Sequence, residues 1–159
     1  MMHVSFNLNG KPFSADVEPR TSLADLLRST SCGCTSVHLG CEHGVCGACT
    51  ILIDGQIARS CIALAVSCSG SDLMTLEGLG KDELIGELKE AFREHHGLQC
   101  GFCTPAMLIS AREMIERYPN MTEDDIRLAM SGNICRCTGY SGIVASISAV
   151  VATRGASNG

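Results

Sequence analysis

Tryptophan is absent from this chain of 159 residues, and aromatics make up only 4% of it. A small domain short of aromatics has a thin core, and covalent or metal cross-links would help it. Basic blocks are missing too. The net charge is −5, from 12 Lys+Arg against 17 Asp+Glu. That argues against a nucleic-acid partner and against an electrostatic membrane anchor. No run reaches the roughly 18 apolar residues of a membrane span. Met1 to Asn7 has neither a basic n-region nor an apolar h-region, so no signal peptide is expected. The chain reads as cytoplasmic, with export beside a signal-bearing partner left open.

Cysteine is what the chain has in quantity: 11 residues. An odd number rules out a complete set of intrachain disulfides. In a reducing compartment, clustered cysteines more often bind metal. Cys41, Cys46 and Cys49 stand at C-x4-C-x2-C spacing within Gly40-Cys41-Glu42-His43-Gly44-Val45-Cys46-Gly47-Ala48-Cys49-Thr50. Cys61 follows at the far end of a predicted hairpin. This is the spacing of plant-type [2Fe–2S] ligation. Thiolates are soft ligands that suit such clusters. A loop wrapped round a cluster needs close backbone approach and positive φ, and its glycines allow both.

The order of elements supports a hairpin clip for that loop. Val4 to Leu8 alternates, Asn9-Gly10 is a hairpin turn, and Lys11 to Val17 returns, with Pro12 suggesting an edge strand. Thr21 is the expected cap of a short helix from Ser22 to Ser29. Thr50 to Ile53 and Gln56 to Ser60 form a second hairpin about Asp54-Gly55, and Asp72 to Leu76 is a last strand. The period then becomes helical. Glu83 to His95, a stretch capped by Thr104 with Pro105 at its first helical position and reaching Arg117, a third from Thr122, and a fourth carrying Ile143, Ile147, Val150 and Val151 are four helices. Short connections suggest a bundle. The fold class is thus α+β, with domains at 1–78 and 79–159 and a frayed tail from Ala156 to Gly159.

Two inter-helix loops hold the second set, Cys100 and Cys103 at C-x2-C and Cys135 and Cys137 at C-x-C. Converging in a bundle, they offer four thiolates, enough for a second [2Fe–2S] cluster or for structural zinc. A thioredoxin-type C-x-x-C is a weaker reading, since no βαβ pattern surrounds Cys100. A Rieske centre needs two histidines, and His43 has no matching C-x-x-H. His95-His96 reads as a helix end. Cys32, Cys34 and Cys68 read as buried or incidental thiols rather than a third metal corner.

Both cysteine sets resemble the small iron–sulfur subunit of the molybdenum hydroxylases, the xanthine oxidase family. That family includes bacterial carbon monoxide, aldehyde, nicotinate, caffeine and quinoline dehydrogenases. The words that carry the resemblance are Gly40 to Thr50, Gln99-Cys100-Gly101-Phe102-Cys103-Thr104-Pro105, and Gly132-Asn133-Ile134-Cys135-Arg136-Cys137-Thr138-Gly139-Tyr140. The resemblance implies a β-grasp, ferredoxin-like domain followed by a four-helix [2Fe–2S] domain. It implies that the Cys100/Cys103/Cys135/Cys137 cluster lies nearest the molybdopterin of a large subunit, and the Cys41/Cys46/Cys49/Cys61 cluster nearer a medium, FAD-binding subunit. It also implies that Gln99 hydrogen-bonds the pterin and that Cys137 lies against it. The chain would relay single electrons between catalysts, with no substrate site of its own. Ser36 and Ala106 stand where the family often has glycine. A free-standing two-cluster ferredoxin and a zinc-stapled adaptor are the competing readings.

Overall fold

The computed structural model describes residues 1–157. Two hairpins with the same turn chemistry frame its sheet. β1 (Met2–Leu8) pairs antiparallel with β2 (Lys11–Val17) through Asn9 and Gly10, at φ 54° and 77°. β3 (Thr50–Ile53) pairs likewise with β4 (Gln56–Arg59) through Asp54 and Gly55, at 50° and 75°. Positive φ at both central residues matches the right-handed twist of the strands. β5 (Asp72–Met74) joins the hairpins, parallel to β1 and antiparallel to β3, in the order β2-β1-β5-β3-β4. Pro12 falls on the edge strand β2, where its missing N–H costs no ladder bond.

Alternation along β3 divides two cores. Ile51 turns to one face and packs with Val4, Phe6, Leu73 and the leucines of α1 (Leu23–Arg28). Leu52 turns to the other and joins the helical core. Successive strand side chains point oppositely, so this one strand carries both halves of the chain. Ser22, not Thr21, caps α1, its hydroxyl accepting from Asp25 N–H at 3.1 Å. Thr21 is committed elsewhere: its N–H goes to Glu18 O and its carbonyl accepts from Ala65 N–H.

Four helices follow: α2 (Glu83–Glu94), α3 (Thr104–Arg117), α4 (Glu123–Ala129) and α5 (Ser141–Ser157). Asp82 caps α2, and Thr122 with Asp125 forms a capping box on α4, satisfying orphan amides at little cost. Thr104 is not the cap of α3. Cys103 already has helical φ and ψ, and Thr104 is the first helical residue, its hydroxyl buried without a hydrogen-bond partner. Phe92, Met107, Ile109, Ile143 and Ile147 fill the core between helices. Arg154 forks onto Glu87 at 2.7 and 3.0 Å and ties α5 to α2. α5 continues through Ala156 and Ser157, which the sequence reading had frayed; Asn158 and Gly159 lie outside the described residues. Among the described residues no helix is long and apolar enough to cross a membrane.

Candidate metal centres

The first four cysteines come from the loop between α1 and β3 and from the end of β4. The β3–β4 hairpin pairs Thr50 with Arg59, so the flanking residues Cys49 and Cys61 return to one place. Ser60 locks this closure, donating both N–H and hydroxyl to Cys49 O at 3.3 and 2.8 Å. The thiols come as pairs: Cys41 with Cys46, and Cys49 with Cys61. Cys46 N–H donates to Cys41 Sγ at 3.3 Å. That amide first, then the one of His43, pulls the Cys41 thiol down to about 6. Burial, and then the neighbouring Cys49 thiol, pushes Cys61 up to about 11.

The second four come from the loops that enter α3 and α5. They too are paired, Cys100 with Cys137 and Cys103 with Cys135. Cys100 and Cys137 are exposed and Gln99 beside them is exposed, whereas Cys135 is buried. Burial and then Cys135 push Cys103 up to about 12. Contact with Cys100 raises Cys137. Cys135 goes the other way. Burial pushes it up, but the hydroxyl and amide of Thr138, with the Cys137 amide and the Cys103 thiol, together outweigh burial and bring it below the ordinary thiol value.

The two ligand loops are hydrogen-bonded to each other. Ile134 N–H donates to Cys46 O at 2.8 Å. Asn133 is buried; its Nδ2 donates to Gly47 O at 3.3 Å, and its Oδ1 accepts from Ser110 Oγ at 2.9 Å. Arg59 reaches across to Gly132 O at 2.7 Å while also donating to Thr50 Oγ1 at 2.5 Å. Gly47 has φ 75°, and a Cβ there would stand 2.5 Å from Gly132 O. Only glycine lets the loops approach so closely. On the other side His38 stacks on Phe102 with centroids 4.5 Å apart, and its Nδ1 donates to Phe102 O at 2.6 Å.

Each site therefore offers four thiols as two close pairs. Four thiolates at each site suit the two irons of a [2Fe–2S] cluster, and four would also suit a single zinc ion. Burial first, and then the neighbouring thiol, disfavours the thiolate at Cys61 and Cys103, and contact with Cys100 does so at Cys137, so metal binding there would release protons.

Histidine is not part of either set. His43 is exposed and its Nδ1 donates to Cys41 O at 2.6 Å. Cys34 and Cys68 are buried in the sheet core and Cys32 packs against it; burial raises all three thiols. Ser36 uses its N–H and hydroxyl to hold the Glu77 carboxylate, at 2.8 and 2.5 Å. Ala106 is buried in the first turn of α3. Sequence reasoning passed over Arg59, Asn133, His38 and Thr138. For Arg59, Asn133 and Thr138 one signal was there: each lies within two residues of a candidate ligand.

The "2Fe-2S iron-sulfur cluster binding domain" family matches residues 6–78, and the "[2Fe-2S] binding domain" family matches residues 75–148. The chain is 47% identical to the nicotine 6-hydroxylase small subunit of Paenarthrobacter nicotinovorans, over 92% of this chain and 87% of that one. It is 46% identical to the caffeine dehydrogenase subunit gamma of Pseudomonas sp. (strain CBB1), over 94% and 91%. Among solved structures it is similar to quinoline 2-oxidoreductase from Pseudomonas putida 86, with a TM-score of 0.89 and 48% identity over 99% of this chain and 97% of that chain. It is also similar to the aldehyde oxidoreductase of Desulfovibrio gigas, with a TM-score of 0.86 and 31% identity, over 99% of this chain and 18% of that one.

Proposed function

Since the chain belongs to the family of small iron–sulfur subunits of the molybdenum hydroxylases, we infer that its eight paired cysteines hold the two clusters. It is the electron-transfer subunit of a multi-subunit oxidoreductase of that family and carries two [2Fe–2S] clusters. Its partner is a large molybdopterin-bearing subunit. A [2Fe–2S] cluster, when bound, accepts and returns one electron at a time.

Cys41, Cys46, Cys49 and Cys61 hold one cluster on this reading, and Cys100, Cys103, Cys135 and Cys137 hold the other. We place the seam between the two domains at 78/79; Leu73 is the last residue of the sheet core in chain order and Leu79 belongs to the helical one, which supports this. The observation that carries the assignment is the folding that gathers each set of four, with the β3–β4 closure returning Cys61 to Cys49 and the second ligand loop hydrogen-bonded to the first. Exposure supports the orientation. Gln99, Cys100 and Cys137 lie open at one edge, and we assign that edge to the large subunit, with Gln99 toward the pterin and Cys137 against it. The apolar side chains Val45, Ile62 and Leu64 are exposed on the ligand loop and just beyond Cys61, and we assign that face to a medium, FAD-binding subunit. The complex works in the cytoplasm.

Purification without air tests this reading. Expected are about four iron and four sulfide per chain, and recovery together with a molybdenum-bearing subunit. A colourless chain holding zinc would overturn the cluster assignment. An iron-bearing chain recovered only as a monomer would overturn the role in a complex.

A further inference from the structure

Both sites receive backbone amides at sulfur, at Cys41 from Cys46 and at Cys100 from Phe102 at 3.5 Å, and at the second a threonine hydroxyl joins them. At Cys41 the donors are backbone amides, which no side-chain substitution removes. At Cys135 a side chain takes part: Thr138 Oγ1 lies 3.1 Å from Cys135 Sγ, with the Thr138 amide at 3.5 Å. The direction of that short bond follows from its neighbours. Thr138 Oγ1 accepts the amide of Tyr140 at 3.1 Å. A metal-bound cysteine sulfur is a thiolate and can only accept, so the one hydroxyl proton goes to sulfur. The loop is built to hold this geometry. Tyr140 OH accepts the Cys135 amide at 2.9 Å, while Gly139 and Tyr140 both take positive φ, 64° and 69°. Positive φ is costly for an aromatic residue, and the closed ring of bonds from Cys135 through Thr138 to Tyr140 offsets it.

We propose that Thr138 is a positioning residue that raises the reduction potential of the cluster held by Cys100, Cys103, Cys135 and Cys137, acting through the Cys135 sulfur. Reduction adds negative charge that the sulfurs share, and a donor aimed at sulfur favours the reduced form. This rests on the reading that these four cysteines ligate a [2Fe–2S] cluster.

The test is a redox titration of the purified complex, followed by EPR, on the unaltered protein, Thr138→Val and Thr138→Ser. Val keeps the shape and the amide but loses the hydroxyl; Ser keeps the hydroxyl. In Thr138→Val the reduced-to-oxidised ratio of one cluster at fixed ambient potential should fall about tenfold, which is about 59 mV for one electron. The other cluster should not move, and Thr138→Ser should restore the original ratio. Thr138→Ala, smaller than Val, carries the same expectation where Val disturbs packing. An unchanged potential in Val and Ala, equal shifts in both clusters, or a Ser variant that behaves like Val would overturn the proposal. So would failure of both Val and Ala to assemble the cluster, since Thr138 would then build the site rather than tune it. Absence of any cluster signal in the unaltered protein would instead strike at the underlying assignment.

Discussion

The first cysteine site is made by a loop, and the second by helix packing. Cys41, Cys46 and Cys49 sit within nine residues of one glycine-bearing stretch, and a four-residue strand pair returns Cys61 to them. The local chain alone nearly specifies that site. Cys100 and Cys103 reach Cys135 and Cys137 only because α3, α4 and α5 pack into one core. Sulfur bonding differs in the same sense, with backbone amides at Cys41 and a threonine hydroxyl at Cys135. A site built from backbone tolerates side-chain change and fails on backbone change. A site built from side chains can be tuned residue by residue.

The largest effect expected is loss of one site with survival of the other. Cys103→Ser should halve the iron content, remove one EPR signal and leave the second. Its turnover should fall by more than the roughly 100-fold that an outer-shell change costs. Loss of both signals would mean that the sites are not separable. Gly47→Ala should blur the comparison from the opposite side. Its Cβ would meet Gly132 O, beside the second site, at 2.5 Å in a positive-φ backbone. Destabilisation of about 2–4 kcal/mol is expected in chemical unfolding, with both EPR signals altered although the glycine belongs to one loop.

Asn133→Ala leaves the Ser110 hydroxyl without its acceptor and should cost about 1–3 kcal/mol in the same unfolding experiment. A cost near zero would show that the loops hold together without this buried bridge. Gln99→Ala sharpens the difference in exposure between the sites. It should leave both cluster spectra unchanged and weaken affinity for the large subunit about fivefold, the worth of one hydrogen bond. Unchanged affinity would remove Gln99 from the interface.

The smallest effect is pH-dependent and sits at the base of the first loop. Burial pushes the Glu77 carboxyl up, but Ser36 and Thr75 donate to it and bring it below its ordinary value of 4.5. A depressed folded value contributes stability above 4.5 that is lost as pH falls through the folded value. Glu77→Gln should therefore be less stable by under about 1 kcal/mol at neutral pH, the group being half exposed. The gap between variant and original should close in acid. A gap that stays constant from neutral to acid pH, by thermal unfolding, would assign the effect to shape rather than charge.

Much of this was readable before any fold was known. The turns at Asn9-Gly10 and Asp54-Gly55, the edge position of Pro12 and the helix start at Thr122 follow from residue chemistry acting over a few positions. The errors lie at element ends. Thr21 looked like a cap, but its backbone was engaged by Glu18 and Ala65, and Thr104 lost the cap to Cys103. For Thr21 one partner, Ala65, lies far outside the local window, while at Thr104 the helix starts one residue earlier than the cap reading expects. His38 carried no signal because its partner, Phe102, lies on a loop of the other half.

The order and spacing of the cysteines marked out, from sequence alone, two sets of four thiols, and the resemblance carried by the words around them named the group they hold. Spacing over a few residues is set by bond geometry, which no distant contact alters. Folding decided the rest: which thiols pair, that Ile134 bonds to Cys46, that Leu52 belongs to the helical core, and that Thr138 reaches a sulfur. Those contacts depend on how a sheet and a bundle pack, and on a glycine at φ 75° that lets two loops meet.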